Sequence, residues 1–205
     1  MIVTIAGGSD RPLDDISMAA GTSYGKSDVS HKRVKTCIEA GHDSVLEHAW
    51  VTFRVEGISR ACSHQLVRHR MASFVQKSQR YTKIDTSSGD WYVKPESFDS
   101  KEVWGTAIDG YSSSELFNFA MDECATNYNL AIRCGIKPED ARYLLPEATK
   151  TGITVTMNAR ELVHFLKLRM DKSAQWEIRQ LANSMLDILK WHSDQWRQLM
   201  DWCLR

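Results

Sequence analysis

Several signals that would narrow the function at once are missing from this chain. Its 205 residues hold no apolar run approaching the length that crosses a bilayer. The N-terminal stretch MIVTIAGGSDRP lacks the charged-then-apolar build of an export signal. Cysteine is sparse: Cys37, Cys62, Cys124, Cys134 and Cys203 form no C-x-x-C pair, and an odd number cannot all pair internally. Reduced thiols and a cytoplasmic location are therefore expected. Net charge is also absent, since 26 Lys plus Arg balance 26 Asp plus Glu, which argues against long-range attraction to nucleic acid or an anionic membrane. There is no G-x-G-x-x-G turn either, because Gly7-Gly8 lacks the spacing of a dinucleotide-binding loop. What remains is ordinary globular composition, 42% hydrophobic and 25% charged, in a length that suits one well-packed domain over residues 1–205.

Periodicity then sketches the elements. Met1–Ala6 reads as a strand closed by Gly7-Gly8, and Leu13–Ala20 and Val29–Ala40 as helices, with Gly41 at the usual C-terminal stop. In Ala49–Val55 the residues Ala49, Val51, Phe53 and Val55 share one face and Trp50, Thr52 and Arg54 the other, so a strand is predicted, ending at Gly57. Ser59 is placed to cap a short helix that leads to Arg68. Met71–Asp90 reads mainly as loop, with a short strand near Trp91–Val93. A long helix is expected over Glu115–Cys134, and a second from Pro138 to Pro146 with Arg142 in its middle. Gly152–Met157 alternates like a strand. Asn158 with Glu161 has the form of a capping box, and a break near Asp171–Ser173 precedes one last long helix. The predicted class is α+β: a single mixed domain with a small antiparallel-containing sheet and several long helices.

The richest chemistry lies in RHRMASFVQKSQR, where Arg68, His69, Arg70, Ser73, Ser78 and Arg80 fall within thirteen residues. Planar guanidinium forks match phosphate and carboxylate oxygens, so this is an anion site and, with hydroxyls interleaved, a nucleotide site. Taken singly, other residues read more blandly. Arg142 is a charge on an amphipathic helix, Arg169 a last-turn cation that complements a helix dipole, and His164 a polar residue on an apolar helix.

The stretch resembles the R-H-R-x-x-S-x-N-x-x-S-x-R signature of the flavin-dependent thymidylate synthases, with Val75 where that pattern has Asn. Three further blocks are similar to the same family in the same order: GHDSVLEH from Gly41, ARYLLP from Ala141, and NARELVHFLKLR from Asn158, followed by AQWEI. The resemblance implies the thymidylate synthase-complementing protein fold. It also implies reductive methylation of dUMP to dTMP, with 5,10-methylenetetrahydrofolate as carbon donor, FAD as flavin and NADPH as its reductant. It places Ser44, Arg68, His69, Arg70, Gln76, Asn158, Arg160 and His164 at FAD, with His42 nearby. Gln65, Arg68, Gln76, Ser78, Arg80, Arg142 and Arg169 fall at dUMP, with Arg169 favouring the N3-deprotonated ring. It implies a homotetramer whose sites are shared between subunits, no metal, no nucleic acid and no membrane partner. None of the cysteines matches a nucleophile position of the family. The tryptophans Trp176, Trp191, Trp196 and Trp202 read as core or subunit interface rather than as stacking groups for a cofactor.

Two other readings stay open at this level. His31 and the pair His42-Asp43, with Asp85 or Asp90 as a later ligand, would suit a His-Asp metal-dependent nucleotide phosphohydrolase. Arg68, Arg70 and Arg80 with Phe74 and Tyr81 would suit a single-stranded nucleic-acid binder, which the zero net charge disfavours.

Overall fold

The computed structural model describes residues 1–99 and 111–204. In chain order its regular elements are β1 (Ile2–Gly8), α1 (Pro12–Thr22), α2 (His31–Glu39), β2 (Trp50–Ser59), α3 (Arg60–Leu66), β3 (Ala72–Gln76), α4 (Ser113–Arg133), α5 (Pro138–Ala141), β4 (Lys150–Asn158), α6 (Ala159–Arg169), α7 (Trp176–His192) and α8 (Asp194–Cys203). Short 3-10 turns cover Asp43–His48, Glu96–Phe98 and Arg142–Leu144. Among the described residues no helix is long and apolar enough to cross a membrane. The class is the expected α+β, with one four-stranded sheet ordered β1-β2-β4-β3 among those residues. Strands β1 and β2 are antiparallel, from Ile2 opposite Glu56 to Gly8 opposite Val51, with an irregularity between Ile5 and Gly7.

The chain forms two compact units. The first comprises Met1–Glu56, Cys62–Val75 and Gly152–Arg205. Alternation along β2 does what the sequence indicated: Ala49, Val51, Phe53 and Val55 are buried, while Trp50 and Arg54 are exposed. Their partners in the core come from Leu13 and Ile16 of α1, Leu162, Phe165 and Leu166 of α6, and Ile178, Leu181 and Leu189 of α7. Burying each such side chain removes enough apolar surface to contribute about 1.5–3 kcal/mol. Trp196 of α8 is buried as well and donates its indole Nε1–H to the Ser9 carbonyl at 3.0 Å.

The second unit, Gly57–Ala61 with Gln76–Thr151, is built around α4. Ser112 and Glu115 form a complete capping box at the start of that helix. Met121 and Tyr128 are buried beneath it, and the Tyr128 hydroxyl accepts from the Ile84 N–H at 3.2 Å. Phe119 and Leu130 stand exposed on its outer side.

Several boundaries differ from the sequence-based expectation, each for a local reason. Gly57 does not end β2: it takes a positive φ of 75°, which a side chain would strain, inside a strand that runs on to Ser59. The loop expected after Met71 contains β3, whose Ser and Gln content hid its alternating burial. Conversely, the strand expected at Trp91–Val93 is only an isolated bridge from Tyr92 to Thr149. The helix opened by Pro138 stops at Ala141 and tightens into a 3-10 turn, so Arg142 sits at a junction and not mid-helix. Leu145, before Pro146, is already extended with ψ 140°, as the proline ring demands. Finally, the last long helix is two. Ser193, extended at φ −153°, separates α7 from α8, and its carbonyl accepts from the Arg197 N–H at 2.9 Å.

Candidate active site

Helix α6 organises the first unit's polar residues, and Asn158 starts it. The Asn158 side chain accepts from the Glu161 N–H at 2.9 Å, as a capping residue should. The reciprocal half of the expected box gives way to a different contact, because the Glu161 carboxylate turns to His69. Residues 160, 164 and 167 then recur at helical spacing. Asn158, Arg160, His164 and Lys167 line a cleft of about 540 Å³, together with Asp43 and Glu47 from the 3-10 turn after α2. Ser44 lies in that same turn and is exposed. Glu47 pairs with Arg160 at 2.6 Å. Glu47 belongs to the GHDSVLEH block, whereas Lys167 carried no motif signal. Lys167 could have been found by spacing, since it stands one turn beyond His164.

Behind the cleft lies a buried chain of hydrogen bonds. Glu161 Oε1 is 3.0 Å from His69 Nδ1, and Arg169 Nε donates to His69 Nε2 at 3.0 Å. Arg169 Nη2 donates to the Gln65 carbonyl at 3.3 Å. An arginine Nε always carries its proton, so His69 Nε2 must accept, and Nδ1–H must donate to Glu161. His69 is 3% exposed, and burial holds its ionisation below the usual histidine range, with the Glu161 bond opposing and the Arg169 charge assisting. The ring is therefore neutral and of one tautomer. It packs edge-on against Phe165 at 5.0 Å and tilted against His164 at 5.6 Å. Arg68 and Arg70, on either side of it in sequence, are exposed, and neither makes an ion pair among the described residues. The Arg-His-Arg triplet thus sends its cations outward and its imidazole inward.

In the second unit, Glu139 joins two of the expected nucleotide residues. Its carboxylate accepts from Arg80 Nε at 3.3 Å and its carbonyl from Arg142 Nε at 3.0 Å. The Ser78 hydroxyl accepts from the Arg80 N–H at 3.2 Å, and the Gln76 amide donates to Thr151 Oγ1 at 3.3 Å. Ser78 is thereby a positioned hydroxyl with no base beside it among the bonds described. Arg80 and Arg142 also lie over the rings of Tyr81 and Tyr143.

His31 Nε2 is 2.7 Å from Asp14 Oδ1, a carboxylate that also pairs with Arg11 and accepts from Gln195. Asp85 is taken up by Ser87 and Asp90 by Lys150. Among the described residues one group, His69, Glu161 and His164, brings its ligand atoms within 4.8 Å of one another. Both nitrogens of His69 are already committed there, and a guanidinium donates to one of them, so the donor set suits a hydrogen-bonded relay better than a dication.

The sequence model of a family described as Thymidylate synthase complementing protein matches residues 7–192. A flavin-dependent thymidylate synthase from Pyrococcus furiosus is 39% identical, over 99% of this chain and 86% of that protein. One from Geobacter sulfurreducens is 51% identical over 73% of this chain and 60% of its own length. Among solved structures, Thymidylate Synthase X from Helicobacter pylori with FAD and dUMP superposes with a TM-score of 0.75 at 27% identity, covering 100% of this chain and 99% of the other.

Proposed function

The chain belongs to the thymidylate synthase complementing protein family, and from that premise we propose that it converts dUMP to dTMP as an FAD-dependent thymidylate synthase. The observation that carries the reading is the pairing, within one unit, of a cleft lined by Asn158, Arg160 and His164 with an Arg169 held on a neutral imidazole. Both units serve one functional domain over residues 1–205, because the family match runs through both.

The residues present fit a flavin dinucleotide. Asn158, Arg160, His164 and Lys167 offer amide, guanidinium, imidazole and ammonium donors, the chemistry that a diphosphate and ring carbonyls require. No glycine-rich turn is needed. When bound and reduced by NADPH, FAD supplies the hydride that side chains cannot, completing a methyl group from the methylene of 5,10-methylenetetrahydrofolate and releasing tetrahydrofolate. The protein's own part is binding and polarisation. Ser44, Arg68, His69, Arg70 and Gln76 join Asn158, Arg160 and His164 on the flavin side. Gln65, Arg68, Gln76, Ser78, Arg80 and Arg142 hold the nucleotide, its phosphate meeting the Arg80 fork in exchange for Glu139. Arg169, a permanent cation, favours the N3-deprotonated pyrimidine and so makes C5 electron-rich. A homotetramer with sites shared between subunits is consistent with the exposed Phe119 and Leu130 along α4. A reducing cytoplasmic setting accords with five free cysteines.

The purified protein should take up FAD, show flavin absorption bands without bound metal, and oxidise NADPH faster once dUMP is added. Colourless protein that cannot be reconstituted with FAD would overturn the assignment.

Thiol catalysis is a separate question, and Cys62, nearest the Arg-His-Arg triplet, answers it. The side chain is buried, and burial first, then the Glu177 charge, push its ionisation far above the ordinary thiol range. Such a thiol is no nucleophile. Cys62→Ala should keep its FAD and transfer the methyl group at nearly the wild-type rate in single turnovers. A folded, FAD-loaded Cys62→Ala protein without activity would point instead to a covalent cysteine adduct.

A further inference from the structure

Glu161 is one of the few buried carboxylates among the described residues of the first unit. Its side chain is 10% exposed and that of its partner His69 2%, and among the described residues no Lys or Arg pairs with it directly. A contact meant only to pack two elements would be made as well by apolar groups, because burying a carboxylate against a neutral imidazole costs desolvation that the bond repays only in part. Geometry shows what the arrangement achieves. Glu161, Phe165 and Arg169 are spaced i, i+4 and i+8, so they share one face of α6. Along that face Glu161 and Arg169 are separated by about 12 Å of helix rise. His69, arriving from the turn after α3, lies over Phe165 and bridges the two: Nδ1 meets Glu161 and Nε2 meets Arg169, each at 3.0 Å.

We propose that Glu161 is a positioning residue for methyl transfer: it locks His69 in the Nδ1–H tautomer, so that Nε2 can hold Arg169 Nε and aim the other donors of that guanidinium at the pyrimidine. The proposal rests on the reading that Arg169 contacts dUMP. An imidazole free to choose would place its proton on Nε2 in part of the population. That form meets Arg169 Nε–H donor to donor and pushes the guanidinium away. Glu161, which when ionised can only accept, removes this alternative. The groups facing the ring are Glu161, Arg169 and His164, and the cationic member of the set opposes a second proton on His69. His69 thus acts at a distance from solvent, through Arg169, while its sequence neighbours Arg68 and Arg70 face outward.

The first test needs no substrate. Nitrogen-15 NMR of histidine-labelled protein, with His69 assigned by substitution, should show protonated Nδ1 and unprotonated Nε2; the opposite tautomer would overturn the proposal outright. The second test is a mutant cycle on the FAD-loaded enzyme, using Glu161→Met to fill the space without an acceptor, and Arg169→Ala. Glu161→Met should retain FAD and lose turnover by about tenfold to a hundredfold, the range for a misdirected charged hydrogen bond. In the Arg169→Ala background it should cost nothing further. Glu161→Gln, whose amide oxygen still accepts from Nδ1–H, should recover most of the loss. Additive losses in the cycle would make Glu161 a structural staple and overturn the positioning role alone. If Arg169→Ala itself turns over normally, both the positioning role and the Arg169 assignment fall, whereas FAD binding and methyl transfer survive as the family activity.

Discussion

Replacing Arg169 by Lys should leave a folded protein that still binds FAD, yet binds dUMP more weakly and transfers the methyl group about a hundredfold to a thousandfold more slowly. The charge is conserved in this substitution, so any loss reports geometry. Arg169 spends Nε on His69 and one Nη2 hydrogen on the Gln65 carbonyl, and these contacts orient the rest of its planar fork. A lysine ammonium is a single point. Whichever acceptor it takes, His69 Nε2 or the Gln65 carbonyl, it cannot hold both and also present a second donor to the pyrimidine. The loss should therefore fall on the step that develops negative charge on the ring, and only partly on binding. Titrating dUMP against the flavin absorbance separates binding from single-turnover methyl transfer. If Arg169→Lys matched wild type in both, Arg169 would be no more than the last-turn cation that its position at the end of α6 also permits.

How far the site could be read in advance depended on what kind of signal each residue carried. Motif residues on α6 were legible, because helical spacing alone puts Arg160 and His164 on one face and the structure places both in the cleft. Arg80 and Arg142 carried no local sign of kinship, being far apart in sequence, and their meeting on Glu139 is a tertiary fact. Glu161 was legible but as something else: its position three residues after Asn158 matches a capping box, a local rule that the buried imidazole of His69 overrides. His69 shows the same limit from the other side. Three adjacent polar residues give no indication of which one points inward, and in the turn after α3 it is the middle one. The strongly periodic elements were legible, whereas boundaries and the weakly patterned β3 were not. Strand β2 and helix α4 announce themselves by periodicity, whereas the end of β2 depends on whether Gly57 stops the strand or is carried within it, and both are open to a glycine.

The C-terminal tryptophans carry this into energy, because Trp191 and Trp196 look alike in sequence and differ entirely in place. Trp191 is 84% exposed at the end of α7, and Trp196 is 1% exposed in α8. Replacing Trp196 by Ala removes a large buried ring and leaves a cavity, at a cost of about 3–5 kcal/mol. It also strands the Ser9 carbonyl that accepts its indole N–H at 3.0 Å. For a chain of this length that corresponds to a fall in Tm of roughly 6–20 °C. Trp196→Phe keeps much of the apolar volume and loses the donor, so its smaller loss comes largely from the stranded carbonyl, about 1–3 kcal/mol. Trp191→Ala should stay within about 0.5 kcal/mol of wild type when the same FAD-loaded protein is melted under the same conditions. The ordering Trp196→Ala, Trp196→Phe, Trp191→Ala from most to least damaging is the expected result. A Trp191→Ala variant as unstable as Trp196→Ala would show that the exposed ring is covered in the assembled protein, and would move it from solvent to a subunit interface.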